Sequence, residues 1–452
     1  WQKPLGANYA DSTYTVSIEY PEFLEMSKAD VQRYQQISGE PLPELPVVRQ
    51  TVGVARKKGV LDVSFIPLVF REGKYQKLVS FKLNVQAKAV SRARTRAASD
   101  GDRYAAHSIL QSGSWAKIRI PESGFYQLTD ALVKSAGFSD PSKVKIYGYG
   151  GALQPEQLTG DYLTETDDLH EVPTAVIGGK RIFYGVGPVS WTSKEALERI
   201  RNPYSDYGYY FLTESEGEPL TISEEQLKAS CYPANEDYHS LYEVDDYAWY
   251  HGGRNLYDKN LFTIGTPQTY TLSATGSTGT LAVALSYDGN FEASVKVNGQ
   301  PMGTISRNVS LDSYTHAEAH TWTFPLTEGL AAINTVSITQ TSGASLRLDY
   351  LDLYHDTPDA WPDLQTATLP EPDYVYGITN QDHHADEPVD MVIIIPASQK
   401  LLAQAERLKI HHEEKDGLRV RIVPADELYN EFSSGTPDAR SEEHTSELQS
   451  LA

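Results

Sequence analysis

MVIIIP at 391–396, LLAQAERLKIHHEEK at 401–415 and GLRVRIV at 417–423 are the pieces of sequence that decide the fold of the carboxyl-terminal region. Five consecutive apolar residues before a proline are typical of a strand that is buried on both faces, as parallel sheets require. The middle piece repeats apolar residues at helical spacing, and Gly417 can cap that helix. The sequence therefore predicts that residues 388–439 form the first strand, helix and strand of an α/β domain that the chain leaves incomplete.

Alternating apolar and polar residues predict two β-rich units in the first half of the chain. The first spans residues 1–91, with the alternation visible for example at 14–18, and the second spans residues 104–236 and includes a short helix. Residues 92–103 lack apolar periodicity and are predicted to be an exposed linker. This linker is either a proteolytic processing site or, with more weight, a plain solvated segment.

A third β unit, a β-sandwich or jelly roll, is predicted for residues 237–358. Its strands alternate clearly, and Asn298-Gly299 is a strong signal for a two-residue hairpin turn because both residues tolerate positive φ. The last strand, at 347–354, has apolar residues on both faces and is predicted to be an inner strand. The Pro-rich residues 359–387 are predicted to be a semi-extended linker to the α/β region.

Composition excludes several classes of protein and partner. The chain has 452 residues, room for about three domains, and a formal net charge of −22 with a pI near 4.9. This charge argues against binding to nucleic acid or anionic membranes, because phosphates are bound by basic surfaces. No apolar run reaches the roughly 18 residues of a membrane span. Trp1 has no signal-peptide pattern behind it, so the sequence indicates either a processed export leader or a gene fragment.

A few residues are candidates for chemistry, each with an alternative interpretation. Cys231 is the only cysteine, which excludes an intramolecular disulfide, and its context lacks a base or helix amino terminus that would make it a nucleophile. His383-His384 and His411-His412 could bind metal, but adjacent residues of a helix point about 100° apart, and the latter pair is better explained by the helix dipole. The aromatic run 204–211 could stack on sugars but is better explained as strand core or sheet surface. We predict no catalytic, cofactor-binding or metal-binding residue in the chain.

Longer phrases carry a family resemblance. LLAQAERLKIHHEEKDGLRVRIVPADELYNEFSSGTPDA at 401–439 resembles the start of the catalytic domain in gingipain-like cysteine peptidases. GSWAKIRIPESGFYQLT at 113–129, VKIYGYGGALQPE at 144–156, RIFYGVGPVSW at 181–191 and NPYSDYGYYFLT at 202–213 are similar to one branch of that family, the PorU-type sortases of the type IX secretion system of Bacteroidota. The phrases are long and mixed in composition, so a chance match is far less probable than for a short glycine motif.

The resemblance implies a mainly β multi-domain protein that ends in the truncated start of an α/β caspase-like or gingipain-like domain. It implies a parent enzyme at the bacterial cell surface that removes the C-terminal sorting signals of secreted cargo and attaches the cargo to anionic lipopolysaccharide. Its partners would be those sorting domains, an outer-membrane secretion partner and the lipopolysaccharide, and no cofactor is implied. In the family the catalytic His and Cys follow the stretch present here, so no residue is assigned to them and the fragment itself is expected to be inactive.

Two points remain open at the level of sequence. The family pattern stops after Ala439, and residues 440–452 are predicted to be a non-native tail or a polar disordered tail, without a packed core in either case. The alternative to an enzyme fragment is a non-catalytic cell-surface β-sandwich protein that binds glycan or a secretion partner, because the acidic, tyrosine-rich chain shows no catalytic constellation of its own.

Overall fold

The computed structural model describes residues 1–6, 12–37, 41–55, 58–89, 105–156, 160–250, 253, 255–311 and 314–441. These residues separate into two compact units, Trp1–Ala97 and Ala98–Ala452. Most of the secondary structure is antiparallel β-sheet, with an α/β segment at the carboxyl-terminal end, which confirms the predicted fold class. The linker predicted at 92–103 lies outside the described residues.

The first unit consists of two three-stranded antiparallel sheets and one helix. Its elements are β1 (Gln2–Gly6), β2 (Ser12–Glu25), α1 (Lys28–Ile37), β3 (Arg49–Ala55), β4 (Lys58–Ser64), β5 (Leu68–Arg71) and β6 (Lys74–Ala89). The sheet orders are β1-β4-β3 and β2-β6-β5. The alternation in the sequence places Val16, Leu61 and Val63 in a small core between partly buried neighbours.

The second unit begins with a β-rich part, residues 105–238, which we call the body. Its elements are β7 (Trp115–Ile120), β8 (Gly124–Gln127), α2 (Asp130–Ser135), β9 (Val144–Tyr147), α3 (Gly160–Glu165), β10 (Ala175–Ile177), β11 (Lys180–Gly185), β12 (Val189–Ser190), β13 (Ile200–Arg201), β14 (Gly208–Glu214) and α4 (Glu224–Cys231). The predicted helix α2 begins after Thr129, whose side chain accepts a hydrogen bond from the Leu132 amide. Ile118, Ile120, Ile146, Phe183 and Leu212 are fully buried between the sheets.

A β-sandwich follows the body. Its strands are β15 (His239–Glu243), β16 (Gln268–Ser273), β17 (Gly279–Tyr287), β18 (Phe291–Val297), β19 (Gln300–Arg307), β20 (Glu318–Leu326), β21 (Ile333–Gly343) and β22 (Leu346–His355). The two four-stranded sheets have the orders β15-β22-β17-β20 and β16-β21-β18-β19. The Asn298-Gly299 turn joins β18 and β19 with positive φ at both residues, as predicted from its sequence.

The inner strand β22 shows why its sequence alternates imperfectly. It pairs with β15 and β17, and the register with β17 shifts where Ala284 pairs with Tyr350 and Leu285 pairs with Leu348. Asp349 is therefore an extra residue, a β-bulge, and the inward-facing positions change from even to odd numbers across it. The bulge places the Asp349 carboxylate 3.3 Å from Nη2 of Arg199 on the body.

The segment 359–387, predicted to be a linker, instead packs along the body. It contains β23 (Asp373–Ile378), which pairs with β7 at the edge of the sheet β23-β7-β14-β9. Leu364 is fully buried, and the Lys180 amine donates to its carbonyl oxygen at 3.3 Å and to that of Gln365 at 3.0 Å. The prolines suggested a linker because they cannot continue a central strand, but Pro370 and Pro372 lie just before β23, and no proline interrupts the strand itself.

The carboxyl-terminal segment has the predicted strand, helix and strand, with one more helix. Its elements are β24 (Met391–Ile395), α5 (Leu402–Asp416), β25 (Val420–Pro424) and α6 (Ala425–Phe432). β24 and β25 pair in parallel, as the crossover helix requires. Gly417 caps α5 with a φ of +66°. Among the described helices, none is long and apolar enough to cross a membrane.

Candidate functional site

The body holds the carboxyl-terminal segment in a cradle of polar contacts. A glycine-rich loop that follows β9, residues 148–152, meets the loop that follows α6, residues 433–438, which we call the docking loop. Ser434 Oγ accepts the Tyr149 amide at 2.9 Å and donates to the Tyr209 carbonyl at 3.0 Å, while Thr436 Oγ1 donates to the Gly150 carbonyl at 3.2 Å. Two side chains of the docking loop thus replace the backbone partners that a strand would supply.

Glycine is needed at two places for this close approach. Gly148 has a φ of +135°, and a Cβ atom there would lie 2.5 Å from Ser434 Oγ. Gly435 has a φ of +75°, and its Cβ atom would lie 2.8 Å from both the Lys117 and the Phe211 side chains. Any larger residue would push the two loops apart, because the docking loop presses against backbone and buried side chains.

Lys117 lies at the centre of the cradle and is only 4% exposed. Its Nζ atom donates to Asn430 Oδ1 at 3.0 Å and to the Gly435 carbonyl at 2.6 Å, and it lies 4.4 Å from the centre of the Tyr209 ring. Burial lowers the pKa of Lys117 to about 7, although the nearby Asp426 opposes this shift. An amine that titrates near neutral pH therefore joins β7 to the end of α6.

Gln154 extends the cradle beyond the glycine-rich loop. Its amide donates to Asp438 Oδ2 at 2.9 Å, and its side-chain nitrogen donates to the Phe432 carbonyl. Arg440 returns the contact by donating to the Gln154 carbonyl. Ser441 is fully buried, and its Oγ donates to the Asp438 carbonyl at 2.8 Å. The prediction that no residue from 440 onward packs is thus wrong for Arg440 and Ser441, and residues 442–452 lie outside the described chain.

Glu431 on α6 is the second anchor and is fully buried. Its carboxylate accepts the Gln381 side chain at 2.8 Å, the His383 amide at 2.9 Å and His384 Nδ1 at 2.7 Å. Burial by itself lowers the pKa of His384, but the hydrogen bond and the charge of Glu431 outweigh it and raise the pKa to about 9. A buried imidazolium and carboxylate therefore fix the segment before β24 to α6.

His383 pairs with two other carboxylates beside this anchor. Its Nδ1 lies 2.8 Å from Asp386 and its Nε2 lies 3.0 Å from Glu427. Burial lowers the pKa of His383, and these two hydrogen bonds more than compensate, so that it rises to about 10. Both ring nitrogens of His383 are used in ion pairs. Among the residues that the structure describes, no three His, Cys, Asp or Glu side chains are arranged to hold a metal ion.

The other residues considered in the sequence lie apart from the cradle. His412 Nδ1 lies 2.6 Å from Asp416, one turn further along α5, which fits the charge and dipole interpretation. Cys231 ends α4, where its thiol donates to the Leu227 carbonyl at 3.1 Å. Burial, with Asp237 nearby, raises the pKa of Cys231 to about 11, whereas a nucleophilic thiol needs a lowered pKa.

The aromatic run 204–211 contributes to the cradle and the core. Tyr210 and Phe211 are buried, and Tyr209 stacks its ring against the Lys117 amine. The run is therefore mainly core and sheet surface, which was the preferred interpretation of its sequence. Sequence reasoning missed Lys117 and Gln154. The nearest signal for the cradle was the cluster of glycines at 148–151, which marks a close backbone approach.

The carboxyl ends of β24 and β25 form the edge at which parallel α/β sheets bind ligands. Residues 396–399 follow β24 at this edge, and Pro424 ends β25 before α6. These positions include neither cysteine nor histidine. The described part of the chain thus supplies this edge of the sheet.

Comparisons with known proteins agree with this division. Residues 384–445 match the family described as Peptidase family C25. The crystal structure of dimeric latent PorU from Porphyromonas gingivalis is similar to 77% of this chain, with 26% sequence identity and a TM-score of 0.61. The chain spans 40% of the length of that protein. The chain is therefore PorU-like, and its carboxyl-terminal segment is the part that resembles a cysteine peptidase family.

Smaller solved structures match shorter parts of the chain. A family 35 carbohydrate-binding module from an environmental isolate covers 27% of this chain and 91% of its own length, with 20% identity and a TM-score of 0.20. A family 35 module from Clostridium thermocellum covers 26% of this chain and 88% of its own length, with 18% identity and a TM-score of 0.19. No curated protein sequence matches the chain.

Proposed function

We propose that this chain is the amino-terminal part of a type IX secretion sortase, a cysteine peptidase and transpeptidase exported to the bacterial cell surface. The complete enzyme would remove the C-terminal sorting signal of secreted cargo and attach the cargo to anionic lipopolysaccharide, together with an outer-membrane secretion partner. In this proposal the chain described here is inactive by itself, and the catalytic histidine and cysteine come from polypeptide outside it.

The observation that carries the proposal is the cradle. The phrases YGYGGALQ at 147–154 and SSGTPD at 433–438 are far apart in sequence but in contact in the structure. The second phrase lies within the match to Peptidase family C25, and the first lies in the body. A body that holds the start of a peptidase domain by specific hydrogen bonds is expected of one enzyme and not of two independent modules.

The chemistry of such an enzyme is acyl transfer. A cysteine thiolate attacks the carbonyl carbon of the scissile peptide bond, and histidine donates a proton to the leaving amine as that bond breaks. The resulting thioester is then attacked by an amine of the lipopolysaccharide or by water, which releases the thiolate. Backbone amides would stabilise the oxyanion in both steps. The residues of this chain would orient the edge of the sheet at which these groups assemble.

The proposal is tested on the native protein from the source cells, captured with an antibody raised against residues 105–355. The purified protein is labelled with an iodoacetamide probe, and the labelled peptide is identified by mass spectrometry. It is then incubated with cargo that carries a C-terminal sorting domain, with and without prior alkylation. We expect a label on a cysteine other than Cys231, cleavage of the cargo, and loss of cleavage after alkylation.

Two results would contradict the proposal. A native protein labelled only at Cys231 that leaves the cargo intact would favour the non-catalytic cell-surface protein. Cleavage that survives alkylation would exclude a cysteine nucleophile. Cargo that is cleaved but never coupled to lipopolysaccharide would retain the peptidase and remove the transpeptidase part of the proposal.

A further inference from the structure

Charge is distributed very unevenly along this acidic chain. Residues 1–97 contain 15 Lys and Arg against 9 Asp and Glu, whereas residues 98–452 contain 24 against 52. The first unit therefore has a formal net charge of +6 within a chain of −22. Such asymmetry indicates that the two parts meet different partners, and that the partner of the first unit is negatively charged.

The first unit also exposes more apolar surface than its small core explains. Among its described residues, five large apolar side chains are buried and ten are exposed. Ile66 is 63% exposed and Val47 is 63% exposed, although both are adjacent to strands. Single exposed apolar side chains are ordinary on a protein surface, so the informative places are those where several lie together.

Two of these exposed side chains, Val47 and Ile66, line one open groove of about 870 Å³ together with partly buried apolar residues. One wall of the groove consists of Met26, which precedes α1, and of Tyr34 on that helix. The other wall consists of Phe65, Ile66 and Leu68, which follow β4. The volume lies within the range of about 300 to 1,000 Å³ that is typical of ligand sites. The walls are apolar and the groove is concave, so it fits an inserted segment better than a flat surface.

Three cations surround this apolar groove. Arg33, Arg49 and Lys77 line it and are exposed, and none of them forms an ion pair or a side-chain hydrogen bond with any other described residue. Asp30 is the one acidic side chain in the lining, and it accepts a hydrogen bond from Ser27. The rim thus offers three unneutralised positive charges to whatever occupies the apolar walls.

We propose that this groove of the first unit binds an extended, acidic and partly apolar peptide segment of a partner protein. Apolar side chains of the segment would pack between α1 and the residues after β4, and its carboxylates would meet Arg33, Arg49 and Lys77. Guanidinium groups suit this role because they bind carboxylates in a bidentate manner. Alternate side chains of an extended segment point to opposite sides, so one segment presents both chemistries.

The test uses the full 452-residue chain and a panel of fluorescein-labelled peptides about ten residues long, in which Glu alternates with Leu, Val or Phe. Binding is followed by fluorescence anisotropy at low and high salt. The groove variant combines Arg33→Glu, Arg49→Glu and Lys77→Glu. The control variant, with the same change in net charge, combines Lys3→Glu, Lys82→Glu and Lys88→Glu, which are exposed cations outside the groove.

We expect saturable binding with a Kd below about 100 µM, weakened by salt because the charges are exposed. The groove variant should bind at least about tenfold more weakly, since three surface ion pairs are reversed, and the control variant less than about threefold. Peptides with Gln in place of Glu should bind about as weakly as the Glu peptides bind the groove variant. Ile66→Ser should also weaken binding, and it cannot disturb the core because Ile66 is exposed.

Several results would overturn the inference. They are the absence of saturable binding by every peptide, equal binding of the Glu and Gln peptides, equal losses in the two charge-reversed variants, and binding to phosphatidylglycerol vesicles without binding to peptides. The last would assign the basic surface to a membrane. A dimer that dissociates only in the groove variant, again without peptide binding, would assign the groove to a second copy of the chain. None of these results depends on peptidase activity, so they are independent of the proposed enzyme.

Discussion

Replacement of Lys117 by methionine should remove the pH dependence that this amine gives to the attachment of the docking loop. Methionine has nearly the same length as lysine but no amine, so the hydrogen bonds to Asn430 and to the Gly435 carbonyl are lost at every pH. In the wild type, by contrast, the contribution of Lys117 to this attachment changes with pH. The pKa of Lys117 is about 7 in the folded chain because the amine is buried, against about 10.4 for an exposed lysine.

The size and sign of the effect follow from proton linkage. Between these two pKa values the unfolded state binds more protons than the folded state, so the contribution of Lys117 to stability rises with pH in this window. From pH 6 to pH 9 the gain is about 2.5 kcal/mol, or about 70-fold in an equilibrium constant. This is an upper figure, because the two oxygen acceptors and the Tyr209 ring also favour the charged amine. We therefore expect this contribution of Lys117 to change the equilibrium constant for local opening of the wild type by at least about tenfold between pH 6 and pH 9.

Comparison of variant and wild type at the same pH isolates this contribution. The contacts that hold α6 and the docking loop against the body and against residues 381–384 are called the seam below. The histidines of this seam act in the opposite sense to Lys117, because the raised pKa values of His383 and His384 stabilise below about pH 6.5 and this contribution is lost towards pH 9 to 10. The assay is limited proteolysis with a broad-specificity protease, in which cleavage within residues 425–441 is quantified by mass spectrometry. The rate for Lys117→Met divided by the rate for the wild type reports the difference in local opening.

The control is Arg119→Met on the same strand, two residues further along. Arg119 is partly exposed and pairs with Asp373, and guanidinium groups stay protonated throughout this range. The ratio for Arg119→Met should therefore be flat from pH 6 to pH 9. A flat ratio for Lys117→Met as well would refute the reasoning, since the amine would then remain charged in the cradle across the whole range.

Three further results are expected from the same seam and from the junction with the sandwich. Glu431→Gln leaves the His384 imidazolium buried without its counter-ion. The free energy of unfolding, measured in urea, should therefore fall by about 3 kcal/mol or more. A loss below about 1 kcal/mol would contradict the role of Glu431 as an anchor. In hydrogen exchange α6 should be slower than α5, although α5 is longer, because α6 buries four residues against one in α5; equal rates would contradict this. Burial raises the pKa values of Asp349 and Asp245 to about 6, so the contribution of these two carboxyls to wild-type stability rises as pH falls through 6. Asp349→Asn should therefore be about 1 kcal/mol more favourable relative to wild type at pH 7.5 than at pH 5, and no difference would contradict this prediction.

Sequence reasoning succeeded where the determining signal is local. Five consecutive apolar residues before Pro396, a helical repeat and a glycine cap are enough to predict β24, α5 and β25, because each element follows from its own residues. The Asn298-Gly299 turn was predictable for the same reason. The prediction that 347–354 is an inner strand is confirmed as well, because β22 lies between β15 and β17. A strand covered on both sides needs apolar residues on both faces.

The failures concern contacts between residues that are distant in the chain. The segment 359–387 was predicted to be a linker because of its prolines, yet β23 is stabilised by pairing with β7, about 250 residues earlier. In the sequence, Lys117 has the position of a polar residue in an alternating strand, which predicts an exposed side chain. Its burial depends on the docking loop 318 residues later, which the local pattern does not show. Likewise, the bulge at Asp349 is visible in the sequence only as a broken alternation. The contact of Asp349 with Arg199 depends on how the sandwich packs against the body.

The polar character of the seam determines what the body does for the α/β segment. β24 and β25 are paired only with each other among the described strands, and two parallel strands with one crossover helix do not form a stable sheet alone. An apolar seam would support these strands but would allow them to shift. This seam permits one arrangement, because its buried carboxylate has several fixed donors and its docking loop has glycine at the closest contacts. The body therefore fixes the orientation of α6, and through it the carboxyl edge of β24 and β25. In the enzyme proposed above, strands that extend this sheet would inherit that orientation, so residues of the cradle would influence the geometry of an active site to which they contribute no reacting atom.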